Sequence, residues 1–93
     1  MSGKKLSRKG DKNTTGGVLT QGSKTVYCNN KPVATHPNKI SPHNPSSPSI
    51  HKNAVTSDGS PTVFADNKPV VRVDSKNNCG HKIVQGSDNV FVP

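Results

Sequence analysis

The chain repeats itself, and that limits what it can fold into more than any other feature. Residues 21–39 read QGSKTVYCNNKPVATHPNK, and residues 58–76 read DGSPTVFADNKPVVRVDSK. Nine of these 19 positions are identical, from Gly22/Gly59 and Ser23/Ser60 through Pro32/Pro69 and Val33/Val70 to Lys39/Lys76. A third copy opens at Gln85 as QGSDNVFVP, and its return strand is missing from the end of the sequence.

Each copy reads as a β-hairpin. After Gly-Ser turns the chain, Thr-Val-Tyr or Thr-Val-Phe supplies a short strand of β-branched and aromatic residues. Asn29-Asn30 and Asp66-Asn67 are turn pairs that tolerate left-handed dihedrals. The return strands are Pro32-Val33-Ala34 and Pro69-Val70-Val71-Arg72-Val73, with proline near the strand start, where a missing N–H is acceptable. A further short strand is expected before each Gly-Ser, at 17–20, 54–56 and 82–84. No helical periodicity runs beyond about two turns, so the expected fold class is mostly β.

The glycine spacing is uneven: Gly22 to Gly59 is 37 residues and Gly59 to Gly86 is 27. The surplus falls in 40–51, a Pro- and Ser-rich surface loop that carries His43 and His51. Cys79 and His81 occupy the corresponding linker before the third copy. The repeat can bring the two linkers together, and three imidazoles with one thiolate make a closed tetrahedral site of the structural zinc type. Against this, histidine in a polar loop is commonly solvated, and the spacing matches no standard zinc-finger pattern. His36 stands opposite Val73 in the repeat and reads as packing rather than ligand.

Composition strengthens the metal reading. Only 27% of the 93 residues are apolar, with no Trp, one Tyr and two Phe. So small a core usually needs a staple. Cys28 lies in the apolar run Thr25-Val26-Tyr27-Cys28 and reads as a small buried hydrophobe, so a Cys28–Cys79 disulfide is not expected. A large aromatic core and a dinucleotide-binding α/β enzyme are excluded. No apolar run approaches the roughly 20 residues of a membrane helix. The start carries no secretory hydrophobic stretch, so assembly in a cytoplasm is expected.

The net charge is +8, and five of the positives (Lys4, Lys5, Arg8, Lys9, Lys12) fall in the first twelve residues. Nucleic-acid modules interleave basic with aromatic residues for stacking. Here the aromatics belong to the repeat, so nucleic acid is not the expected partner. A catalytic zinc would need a nearby general base. The sequence has no Glu, and no Asp adjoins the histidine loop. An enzyme is not expected.

The pattern Gly-Ser-x-x-Val-(Tyr/Phe)-x-x-Asn-Lys-Pro-Val, with Gly10-Asp11 and Cys79-Gly80-His81, resembles that of PAAR-repeat proteins. The resemblance spans residues 10–93. It implies a small cone of pseudo-three-fold β-hairpin repeats, stapled near its apex by a metal, zinc first and iron second. Three histidines and one cysteine is the ligand set it implies, here His43, His51, Cys79 and His81. Thr15 stands where the family commonly has a histidine, and Asn30 and Asn67 stand at the usual hairpin glycine. The resemblance further implies a non-enzymatic tip whose base caps a trimeric β-helical spike of a contractile injection machine, sharpening it to pierce a bacterial outer membrane.

The expectations are therefore a basic N-terminal segment at 1–9 and one repeat domain at 10–93. Val26, Tyr27, Val63, Phe64, Val90 and Phe91 are candidates for the core or the base. The location expected is the baseplate spike tip of a phage virion, with a type VI secretion apparatus as the alternative. The alternative function is a basic, partly disordered protein that binds nucleic acid or an anionic surface.

Overall fold

In the computed structural model of the chain, residues 3–14, 16–41, 54–78 and 80–93 are described. Among the described residues six two-residue strands form three antiparallel pairs and no helix occurs. β2 (Tyr27–Cys28) pairs with β3 (Lys31–Pro32), and β4 (Phe64–Ala65) with β5 (Lys68–Pro69). Their turns carry positive φ at both central residues: 54° and 66° at Asn29-Asn30, and 52° and 66° at Asp66-Asn67. This is the primed turn that matches strand twist, and Asn and Asp bear it at small cost.

The third pair joins opposite ends of the chain. β1 (Lys4–Lys5) lies antiparallel to β6 (Phe91–Val92), with Lys4 opposite Val92 and Lys5 opposite Phe91. The return strand expected to be missing is thus supplied by the basic N-terminal segment. Residues 4–8 of the segment expected at 1–9 pair and pack with the repeats. Leu6, Ser7 and Arg8 are all buried within the folded unit.

The Gly-Ser signature has two physical causes. Each serine is buried, and its Oγ accepts the N–H groups two and three residues on: Thr25 and Val26 on Ser23, Thr62 and Val63 on Ser60, Asn89 and Val90 on Ser87. Side-chain turns of this kind substitute for a backbone turn. The glycine provides space: a Cβ on Gly22 would stand 2.5 Å from Pro32 Cβ, and one on Gly59 2.9 Å from Pro69 Cβ.

The hairpins are tied at the centre by a closed ring of backbone hydrogen bonds. Ser7 N–H donates to Val71 O (2.9 Å), Val71 N–H to Ala34 O (2.8 Å), and Ala34 N–H to Ser7 O (3.1 Å). All three residues are fully buried. They are small, as three converging backbones require. On one side of the ring lies a cluster of Leu6, Cys28, Val33, Ala65, Val70 and Val92. The other cluster holds Leu19, Ala34, Ile40, Ala54, Val71 and Ile83. Consecutive residues (Val33 and Ala34, Val70 and Val71) serve different clusters, as side-chain alternation in extended chain dictates. The expected strands before each Gly-Ser occur as single bridges, Lys12 with Val18, Lys39 with Val55 and Lys76 with Lys82.

Candidate functional site

The hairpins present the first candidate surface. Within each outgoing strand the residues alternate. Cys28, Ala65 and Val92 point into the core, while Tyr27, Phe64 and Phe91 stand 59, 56 and 53% exposed. Val26 and Val90 are exposed too, and Val63 is only partly buried against the cluster. Of the candidates for the core or the base, Val26, Tyr27, Phe64, Val90 and Phe91 are therefore not core, while Val63 packs against it. Each repeat thus presents one exposed aromatic beside an exposed or partly buried valine.

Hydrogen bonds between repeats hold this surface in shape. In the second hairpin turn, Asp66 accepts the hydroxyls of Ser23 and Thr25 (both 2.5 Å) and Lys24 N–H (3.2 Å). Those hydroxyls hold its carboxyl below the ordinary aspartate value. The first turn makes the equivalent contact through an amide, Asn29 Nδ2 donating to Asn89 Oδ1 at 3.1 Å. Arg8 reaches the same turn, giving 2.8 Å to Asn29 Oδ1, and forms a buried ion pair with Asp11 at 2.7 Å. Arg72 of the second copy reaches the third, its Nε donating to Pro93 O at 3.0 Å.

The second candidate site is the set of metal ligands. His43, His51 and Cys79 lie outside the described residues. His81 is half-buried, and its carbonyl accepts Asn77 N–H at 2.7 Å. Among the described residues no three His, Cys, Asp or Glu side chains come together as a metal group. His36 is otherwise engaged, its Nδ1 2.7 Å from Thr56 Oγ1. Cys28 is buried, as its sequence context predicts, and is free among the described residues.

Beside His81 runs a polar arrangement that sequence reading did not single out. Asn13 Nδ2 donates to Asn77 Oδ1 at 3.1 Å, while Asn77 Nδ2 has no acceptor among the described residues, although Asn77 is only 4% exposed. The bridge pattern explains the orphan. Asn13, Ile40 and Asn77 occupy equivalent positions, opposite Ile83, Leu19 and Thr56. An amide in the second copy could continue the Asn13–Asn77 chain, but Ile40 offers no acceptor.

The acidic groups are all engaged. Asp58 pairs with Arg72, Asp88 with Lys5, and Asp74 with both Lys4 and Lys82. The hydrogen bond from Lys4, then that from Lys82, lowers the Asp74 pKa. The fold closes through three equivalent hairpins, with an apolar surface at one set of residues and histidine-bearing linkers at another. No curated protein matches the chain. A family profile described as the PAAR motif matches residues 9–85.

Proposed function

The chain belongs to the PAAR-motif family, and from that premise we propose that it is the tip of a contractile injection machine's spike. Membership of the family carries the coarse role of a structural component of such a machine. The finer reading is that the hairpin surface seats on the end of a trimeric β-helical spike and the opposite end, a cone apex, leads through a bacterial outer membrane. The observation that carries it is the exposed set Tyr27, Phe64 and Phe91, delivered once per repeat by a hydrogen-bond pattern that itself recurs three times. A three-fold spike end offers three equivalent strand ends, and a chain with three equivalent apolar hairpins can cover them all. Phage tails and type VI secretion apparatus both use such a spike, and the docking chemistry is the same.

In this reading His43, His51, Cys79 and His81 hold one structural metal near the apex, zinc before iron. The donor set supports it, since three imidazoles and a thiolate complete a tetrahedral zinc sphere with no open position. The small core supports it too, because structural zinc in peptide systems contributes about 10–16 kcal/mol of folding-linked binding free energy.

The test mixes purified chain with a trimeric spike β-helix and measures binding by calorimetry. One chain per spike trimer is expected, with binding abolished by Phe64→Asp/Phe91→Asp. No binding by the unaltered, folded chain would end the reading. Elemental analysis of the same protein is expected to find one equivalent of zinc, largely lost in Cys79→Ser. Metal-free protein that still unfolds cooperatively would remove the metal site and leave the docking proposal standing.

A further inference from the structure

Charge is distributed unevenly over this molecule. Every aspartate is engaged: Asp11 by Arg8, Asp58 by Arg72, Asp66 by Ser23 and Thr25, Asp74 by Lys4 and Lys82, Asp88 by Lys5. Lys12, Lys39 and Lys76 stand at the same position of the three copies, each exposed, and none has a carboxylate partner among the described residues. Each lies one residue before Asn13, Ile40 or Asn77, at the foot of a histidine-bearing linker or its equivalent. The three therefore occupy equivalent places around the pseudo-three-fold repeat, as a collar of exposed lysines.

Two details show that this collar is more than a solvated surface. Lys76 sits directly opposite Lys82 across an antiparallel bridge. Like charges so placed destabilise the pair, and Asp74 relieves only one of them, at 3.4 Å from Lys82. The two lysines also flank a cleft of about 260 Å³ bounded by Thr14, Asn77, Gly80 and His81. Asn77 also lines that cleft, and its buried Nδ2 has no acceptor among the described residues. Two lysines and a threonine lining one cleft suit an oxyanion.

We propose that the collar of Lys12, Lys39 and Lys76, with Lys82 and the Asn77 cleft, binds the phosphate groups of an anionic lipid surface. It rests on the spike-tip reading only in taking the linker end as the end that meets a membrane. Phosphate is the shared chemistry; the lipid headgroup is favoured because a belt of three lysines around the chain matches many phosphates in a plane better than one free ion. Positive side chains near such a surface each strengthen binding by about fivefold.

The experiment measures co-sedimentation of the full chain with phosphatidylcholine vesicles, pure or containing about one third phosphatidylglycerol. Binding to the anionic vesicles alone is expected, falling on the order of a hundredfold in Lys12→Gln/Lys39→Gln/Lys76→Gln. A control, Lys24→Gln/Lys31→Gln/Lys68→Gln, removes the same charge from around the hairpins and should cost less than a tenth as much. Both variants change exposed side chains, and thermal unfolding checks that each still folds. Equal losses in the two variants would mean net charge alone and overturn the proposal. So would absence of vesicle binding, competition by millimolar inorganic phosphate down to background, or tighter collar-dependent binding to duplex DNA. Spike binding should be unchanged in the collar variant, so failure of the docking reading and failure of this one are separately visible.

Discussion

The first two hairpins and the third use one geometry and two kinds of connectivity. In the first two, a turn of Asn29-Asn30 or Asp66-Asn67 joins adjacent strands, and pairing is local. In the third, Lys4–Lys5 must find Phe91–Val92 from the other end of the chain. The hydrogen bonds are nevertheless equivalent: Val33 to Val26, Val70 to Val63 and Leu6 to Val90 all measure 3.0 Å. A covalent turn is therefore not what makes a hairpin here. The central ring and the shared cluster set the pairing, and the turn lowers its entropic cost.

Removing the N-terminal strand should break this comparison most severely. Deleting residues 1–8 takes away Leu6, one member of the Ser7–Ala34–Val71 ring and the partner of Asp11. The expected loss exceeds the roughly 5–15 kcal/mol that a small domain has in total. Circular dichroism should show no cooperative thermal transition. A truncated chain that melts normally would mean the third hairpin is dispensable.

Asp11→Asn should come next. Asp11 is fully buried and its carboxylate binds Arg8 at Nε and Nη2 and also through the backbone N–H. Neutralising it leaves a buried guanidinium uncompensated, a cost of about 3–5 kcal/mol. Denaturant titration should register that shift, while Asp58→Asn, whose carboxylate is half-exposed, should move the midpoint far less.

Joining the ends should work in the opposite direction. A backbone-cyclised chain with Val92 linked to Lys4 through Asp-Asn would give the third hairpin the turn of the second. Closing a long loop stabilises by about 2–4 kcal/mol in the chain-entropy account. An unchanged denaturation midpoint would show that the ends gain nothing from connection.

The mildest difference lies between the turns themselves. Asp66 titrates and Asn29 does not, though both clamp a neighbouring repeat. Because the folded Asp66 pKa is lowered, its contribution is present above the ordinary aspartate value and is lost as pH falls below about 4. Asp66→Asn should flatten this acid limb by lowering stability at neutral pH while leaving that at pH 2 nearly unchanged. Melting temperatures measured between pH 2 and pH 7 would show it.

Local chemistry was legible in advance. Asn29-Asn30 and Asp66-Asn67 announced two-residue turns, the buried Cys28 followed from its apolar run, and the Gly-Ser pairs marked every copy. The Val-aromatic strands were legible as apolar, but a two-residue strand cannot say which of its faces meets the core, so Tyr27, Phe64 and Phe91 could be assigned only once the pairing was known. A signal for the N-terminal strand did exist. Lys4-x-Leu6 followed by Lys12 has the same spacing as Lys31-x-Val33 with Lys39 and Lys68-x-Val70 with Lys76. Without the Pro32 and Pro69 equivalents, and buried in a run of basic residues, it read as a charged tail. Of the metal ligands read from the sequence, only His81 falls among the described residues.

By itself the sequence determined the repeat unit, because turn preference, side-chain alternation and the Ser Oγ turn act over a few neighbouring residues. Closure of the third hairpin and the Ser7–Ala34–Val71 ring were decided by tertiary structure. Each joins residues dozens of positions apart, and only the geometry of three packed repeats brings them together.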